Sequence, residues 1–288
     1  MDQNLVRLLK PLFARPKQSH KYNYGHVLVI GGSPGMVGAP YLTARATLRI
    51  GAGLVTIASN SSVVDKLERD VEEIMTLRLP ADNKHAMDLV ADFIFKHKVN
   101  TLAIGPGLSK SKHELVKLVL NNTGLPTVLD GGGLAAFDNN IKALKNITAS
   151  NSSIVLTPHE GEFAKLLGQK LPKHDSEIKE VLYRSAEVSE AIIVLKGNHT
   201  MVAKVNEENY LNSSGNPGLA TAGSGDVLSG VIAGLLAQQI KAFEAAKGGV
   251  FIHGLAGDLA AQAKTQPGMI ASDVIDYLPE ALKRIELA

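Results

Sequence analysis

An acid set among glycines at the mouth of an apolar helix is the feature of this sequence best suited to chemistry. Residues 212–234 (NSSGNPGLATAGSGDVLSGVIAG) begin with turn-forming Gly, Ser, Asn and Pro and become small and apolar from Val227 on. At the junction, Gly223, Ser224 and Gly225 would open a helix whose first N–H groups lack intrahelical acceptors. Their partial positive charge, reinforced by the helix dipole, makes a seat for a phosphate anion. Gly223 and Gly225 carry no Cβ, so an anion can approach the backbone. Asp226 is out of place there, because a carboxylate repels phosphate. Either it takes the proton from a hydroxyl attacking that phosphate, or it caps the helix, as Asp often does. These residues alone leave both roles open.

More polar residues stand just past apolar runs. Asp130 ends PTVLD, His159 and Glu162 follow SIVLTP, and Lys196 ends AIIVLK. Lys196 supplies a point charge for phosphate, and the turn Gly197-Asn198-His199-Thr200 offers backbone to a base or ribose; a solvated surface lysine is the plain alternative. Glu162 can hold Mg²⁺ through water, since hard cations on phosphates keep part of their hydration shell, or it can simply open a helix. His159 follows Pro158 at a strand end and reads as presented to a crevice. None of the nine His has H-E-x-x-H spacing and Cys is absent, which argues against zinc, disulfides and thiolate catalysis. Gly31-Gly32-Ser33-Pro34-Gly35 lacks the G-x-G-x-x-G spacing of a dinucleotide fingerprint, and no P-loop is present.

These residues need a scaffold that gathers strand ends. Residues 26–40, 101–109, 126–134 and 153–163 each start as an apolar strand and break into Gly, Pro or polar residues, and 53–59 is a further strand rich in β-branched residues. Residues 191–203 read as two strands joined by a Gly-Asn turn. Helical spacing covers 41–50, a stretch ending at Gly168, and 225–239, 243–264 and 271–286; residues 61–98 hold polar and helical pieces, with 71–80 the least regular. Continuous apolar strands alternating with helices describe a parallel sheet covered on both faces. Ligands of such sheets bind beyond the carboxyl ends of the strands. Asp130, His159, Glu162 and Lys196 are therefore expected to converge with Asp226 on one edge, within a single domain over residues 1–288.

Composition bounds the class. Apolar residues are 45% and charged residues 20% of the 288, and the net charge is +2. With no basic run, few aromatics and no Trp, nucleic acid is not an expected partner. The N-terminus does not read as a signal peptide, and no apolar run approaches the roughly 18 residues that cross a bilayer. The expectation is a soluble cytoplasmic protein.

Taken together, the segments GHVLVIGGSPGMVGAPYLTARATLRIGAGLV, AIGPGLS, LTPHEGEFAKLLG, VLKGNHT and GNPGLATAGSGDVLSGVIAG resemble the ADP/ATP-dependent NAD(P)H-hydrate dehydratases of the ribokinase-like superfamily. They occur in the family's order over nearly the whole chain; GSGD alone would indicate only the superfamily. The resemblance implies a three-layer α/β/α fold with a mostly parallel central sheet. It implies repair of NADHX and NADPHX, the C6 hydrates of the nicotinamide ring, by phosphorylation of the hydrate hydroxyl and elimination of phosphate, with ADP or ATP as donor and Mg²⁺ as cofactor. Asp226 would be the base, and Ala39, Gly107, His159 and Asp226 would line the hydrate pocket. Lys196, Gly197, Asn198, His199, Thr200 and Gly225 would contact the nucleotide, with Gly223, Ser224 and Gly225 as the anion hole and Glu162 as a water-mediated holder of Mg²⁺. Relatives suggest a homotetramer, and the epimerase domain fused upstream in many of them lies outside the resemblance, so a separate epimerase is the expected functional partner. The chain departs from the family at Gly132, where relatives carry a second acid after Asp130, and in Ala222-Gly223-Ser224-Gly225 for Gly-Gly-Thr-Gly. The alternatives are a vitamin or sugar kinase of the same superfamily, which would release a stable phosphoester, and a nucleotide-binding module without catalysis.

Overall fold

In the computed structural model, which describes residues 3–69, 71–148 and 153–288, the apolar runs line up as a nine-stranded sheet. The early acid Asp2, part of the N-terminal reading, lies outside the described residues. The first half runs α1 (Gln3–Leu9), β1 (His26–Ile30), α2 (Gly38–Arg49), β2 (Leu54–Ser59), α3 (Ser61–Leu67), β3 (Met75–Arg78), α4 (Asn83–His97), β4 (Thr101–Ile104), α5 (His113–Thr123) and β5 (Thr127–Leu129). The second half runs α6 (Leu144–Thr148), β6 (Ile154–Leu156), α7 (Glu160–Leu167), α8 (Asp175–Ser189), β7 (Ile192–Leu195), β8 (Met201–Ala203), β9 (Tyr210–Leu211), α9 (Ser224–Ala237), α10 (Ala242–Lys264) and α11 (Ala271–Glu286).

The strand order is β3-β2-β1-β4-β5-β6-β7-β8-β9. Neighbours from β3 through β7 pair in parallel, and β8 and β9 add on antiparallel. The chain winds outward from β1 to β3, then returns to lay β4 on the other side of β1. That reversal is the switch point at which parallel sheets open a crevice.

Side chains alternate between two apolar layers, as strand pleating requires. Val27, Val29, Val55, Ile57, Ala103 and Val128 pack with α2, α9, α10 and α11. Leu28, Ile30, Leu102, Ile104 and Leu129 pack on the opposite face with α4, α5, α7 and α8. The result is three layers, helix on sheet on helix.

α9 is buried from Val227 to Ala237, and its small residues let it approach α2 closely. A Cβ built on Gly230 would stand 2.2 Å from the Thr43 carbonyl oxygen. Across the same seam, Thr47 Oγ1 lies 3.1 Å from the Gly230 carbonyl and Thr43 Oγ1 lies 3.0 Å from that of Asp226. The approach seats the catalytic candidate against α2.

Several boundaries differ from the sequence expectation. α2 begins at Gly38 rather than 41, because Pro40 falls in the first turn, where a missing N–H costs nothing. Residues 71–80, the least regular segment, contain β3, a half-exposed edge strand with no continuous apolar run to betray it. α5, α6, α8 and the two-residue β9 are further elements beyond the sequence expectation.

Candidate active site

Gly223 caps α9 with φ +88° and no side-chain cap hydrogen bond. This is left-handed backbone that a Cβ would strain, and a Cβ there would lie 2.5 Å from Leu42 Cδ1. The Ser224 N–H donates to Thr221 O at 3.3 Å, and the Val227 N–H to Gly223 O at 3.1 Å. Among the described residues, the N–H groups of Gly225 and Asp226 have no such acceptor, so they are the donors the helix mouth presents. Asp226 lies in the first turn of α9, and among the described residues no N–H donates to its carboxylate. The capping role therefore falls away.

Burial raises the Asp226 pKa from 3.8 to about 7; repulsion from Asp130 and Glu162 adds to it, and Lys196 opposes it. A carboxyl that titrates near neutrality suits proton transfer at physiological pH.

Around it the strand-end residues converge as expected. Lys196 Nζ donates to Asp130 Oδ1 at 3.0 Å and stands 3.9 Å from Glu162 Oε2. Burial pulls the Lys196 pKa down, but Asp130 and Glu162 outweigh it and hold it above the usual value. A Cβ on Gly225 would be 3.0 Å from Lys196 Nζ, so the ammonium lies directly over the helix mouth. Asp130 is buried at the end of β5, and its second oxygen accepts from Ser229 Oγ of α9 at 2.9 Å. Ser229 in turn lies 3.3 Å from Thr157 Oγ1. This chain of bonds locks the ends of β5 and β6 to α9.

His159 pairs its backbone with that of Lys196 in an isolated parallel bridge. Its Nδ1 accepts from the Gly161 and Glu162 N–H groups at 3.0 and 3.3 Å, and Glu162 Oε2 accepts from the His159 N–H at 2.9 Å. The pair forms a reciprocal cap on α7. Both residues therefore have structural work, and the His159 side chain remains 61% exposed, open to a ligand. Residues 197–199 form an exposed turn beyond β7, with Thr200 half-buried behind it.

On the other side of the crevice, Gly107 (φ +66°) follows β4, and a Cβ there would come within 3.1 Å of Ala39 Cβ. Thr43 Oγ1 touches both the Ala39 carbonyl (3.1 Å) and the Asp226 carbonyl. Ala39, Gly107 and Asp226 thus belong to one wall of the crevice.

Sequence reasoning missed Thr43, Ser229 and His253. His253, on α10, is buried with Nε2 3.2 Å from Ser224 Oγ, and burial lowers its pKa to about 4; it supports the first turn of α9 as a neutral ring. Asp258, also on α10, accepts from the Gly215 N–H (2.9 Å) and Asn216 Nδ2 (3.0 Å) and pins the loop that leads to the mouth of α9. Only contacts made far along the chain reveal these supports.

Comparison with known proteins shows the family. Residues 27–280 match the model of the NAD(P)H-hydrate dehydratase family. The chain is 42% identical over 279 residues to the bifunctional NAD(P)H-hydrate repair enzyme Nnr of Moorella thermoacetica, covering 94% of this chain and 52% of that protein. It is 34% identical to the ADP-dependent (S)-NAD(P)H-hydrate dehydratase of Neisseria meningitidis, covering 95% of this chain and 90% of that one. Among solved structures, the ADP/ATP-dependent NAD(P)H-hydrate dehydratase of Bacillus subtilis, co-crystallised with ATP/Mg²⁺, superimposes with a TM-score of 0.80 at 29% identity, covering 94% of each chain. The chain spans about half the length of the bifunctional relatives it matches.

Proposed function

We infer the activity of this chain from one premise: it belongs to the NAD(P)H-hydrate dehydratase family, with that family's ribokinase-like α/β/α fold. The reaction is dehydration of the S-form of NADHX or NADPHX to NADH or NADPH, coupled to consumption of ADP or ATP. The observation that carries this reading is a buried carboxyl, its pKa pushed up to about 7 by burial, at a helix mouth whose Gly225 and Asp226 N–H groups have no backbone acceptor among the described residues, with the Lys196 ammonium over it.

In this reading Asp226 takes the proton of the C6 hydroxyl as that oxygen attacks the terminal phosphorus of the nucleotide. The P–O bond to the leaving AMP (from ADP) or ADP (from ATP) breaks. The Gly225 and Asp226 N–H groups and Lys196 face the charge that builds on the transferred phosphoryl oxygens. Phosphate then leaves C6 with the C–O bonding pair, and the C5 proton passes to solvent as the C5–H pair forms the C5=C6 double bond. Phosphorylation is needed because hydroxide is a poor leaving group. Residues 196–200 and Gly225 hold the nucleotide, Gly223–Gly225 with Ser224 frame the anion hole, and Ala39, Gly107 and His159 flank the ring.

Mg²⁺ fits as an ion carried by the phosphates. Among the described residues no group of three His, Asp or Glu forms a metal cage, and phosphate-borne Mg²⁺ needs only one or two carboxylates besides its waters. Glu162, facing Lys196 across 3.9 Å, would hold one of those waters. The ion's contribution when bound is to neutralise the nucleotide phosphates.

Within the same proposal, residues 1–288 form one domain and copies assemble as a homotetramer in the cytoplasm, with an epimerase supplying the S-form. Among the described residues no helix is long and apolar enough to cross a membrane.

The activity test is incubation of NADH hydrate with Mg²⁺ and either ADP or ATP, following return of the dihydronicotinamide absorbance and release of inorganic phosphate. No return with either nucleotide refutes the assignment, and a stable phosphorylated product favours a kinase. A second expectation concerns pH. The rate should rise as Asp226 ionises. Asp130→Asn removes a repulsive carboxylate and should move that rise to lower pH, whereas Lys196→Gln removes the attractive charge and should move it higher. Parallel shifts in the two variants would contradict the charge arrangement.

A further inference from the structure

A second polar recess opens beside the crevice, on the α4/α5 side of the switch point. It has a volume of about 50 Å³ and lies among the ends of β1 (Gly31, Gly32) and β2 (Ser59) and the segment after Gly107 that carries Ser109 and Lys112. The turn at Lys196, after β7, is separated by β5 and β6 from the segment after β4 that lines the recess, and the Asp226 mechanism uses none of the recess's polar side chains.

Two observations mark it as built for a ligand. Ser59 is 2% exposed, and its hydroxyl has no hydrogen-bond partner among the described residues. A buried hydroxyl left without a partner is unfavourable, and a bound acceptor would relieve it. The second is Lys112. Its ammonium donates to the Pro80 and Ala81 carbonyls at 3.0 and 2.8 Å and, among the described residues, has no carboxylate within ion-pair distance. Burial lowers its pKa, with Asp82 opposing at longer range. Two carbonyls leave one N–H of an ammonium to give. A hydroxyl without an acceptor and a cation without a counter-ion, around a space the size of a phosphoryl group, share one complement.

The recess is also in the right place. Its lining begins at Leu108, one residue past Gly107, and Ser33 Oγ donates to the Gly107 carbonyl at 2.8 Å, tying the loop after β1 to the wall proposed to hold the nicotinamide. We propose that this recess, with Ser59 and Lys112 as donors, is the seat for a phosphoryl group of the dinucleotide hydrate remote from the reacting ring. The inference rests on the hydrate reading of the neighbouring crevice and extends it: the enzyme would distinguish dinucleotides from mononucleotides here.

The test is calorimetric binding of unreactive NADH and of reduced nicotinamide mononucleotide to the parent protein, Ser59→Ala and Lys112→Gln. The parent should bind NADH more tightly. Each variant should lose about tenfold on NADH, equivalent to about 1.4 kcal/mol, and bind the mononucleotide as the parent does. Ser59→Ala should keep or raise Tm, since it removes an orphaned hydroxyl, and this separates a ligand role from a structural one. Unchanged NADH affinity in both variants, equal losses on both ligands, or no preference in the parent would overturn the proposal. Hydrate turnover is scored separately: a parent that turns over no hydrate, yet binds NADH in a Ser59-dependent way, refutes the activity and leaves the recess assignment standing.

Discussion

Asp226→Asn should abolish turnover of NADH hydrate while leaving nucleotide affinity equal or improved. The amide preserves shape but cannot accept the hydroxyl proton, and general-base contributions are typically about 10²- to 10⁴-fold. Because the carboxylate repels the phosphate it faces, its neutralisation should not weaken nucleotide binding. The same variant has a signature in stability. Folding raises this pKa from 3.8 to about 7, so between those values the folded chain holds a proton that the unfolded chain has released. Stability from this group therefore falls as pH rises through that window, and the full cost persists above it. Asp226→Asn lacks the cost. Its Tm should exceed the parent's at pH 8, and the gap should close as pH drops below about 4. Turnover within threefold of the parent would end the assignment of the base, and a Tm gap independent of pH would contradict the raised pKa.

The second large effect is expected in the seam between α9 and α2. Gly230→Ala places a methyl 2.2 Å from the Thr43 carbonyl oxygen and 2.9 Å from Ala46 Cβ. The first of these is backbone and cannot rotate away, so the helices must separate. Overpacking of this kind costs about 1–3 kcal/mol and at times more, and the upper end is expected because both partners are helices held on a buried sheet. Activity should fall with stability, since separation moves Thr43 away from the Asp226 carbonyl and the turn that carries Asp226 loses its backing. Gly38→Ala is the control: nothing lies within 4 Å of its Cβ and the position is helical, so it should stabilise by roughly 0.5 kcal/mol. Thermal unfolding of the two variants side by side checks this, and a Tm for Gly230→Ala equal to the parent's would show that the seam yields freely.

The parts of this protein that could be read from sequence were those with a local signature. The Gly-rich turn opening onto a small apolar helix placed Asp226 in the first turn of α9, because turn chemistry and helix-mouth geometry are properties of adjacent residues. The buried strands announced themselves as apolar runs, and their ends carried Asp130, His159 and Lys196 to one edge, as parallel topology demands. β3 was obscure because a four-residue edge strand with half-exposed faces has no continuous apolar run, and its alternation is too short to stand out. Thr43, Ser229 and His253 were invisible for a different reason. Each acts through a partner brought near only by the fold, as when Ser229 bonds Asp130 across a sequence separation of 99. A buried serine in a small apolar helix has no local mark that sets it apart from a packing residue. The capping role of the His159–Glu162 pair was only half legible, since a histidine N-cap is uncommon and its geometry is needed to see it.

The reversal of winding at β1 and β4 spreads the crevice along the sheet edge. Ala39, Gly107 and the loops after β1 and β4 stand on one side of β5 and β6, and the turn at Lys196 on the other, while the mouth of α9 touches both through Thr43 and Lys196. Under the proposed reading, loop substitutions after β1 and β4 would alter the acceptor side while leaving the turn at Lys196 in place. An architecture divided in this way lends itself to diversification: new acceptors can be recruited around an inherited donor apparatus, one loop at a time.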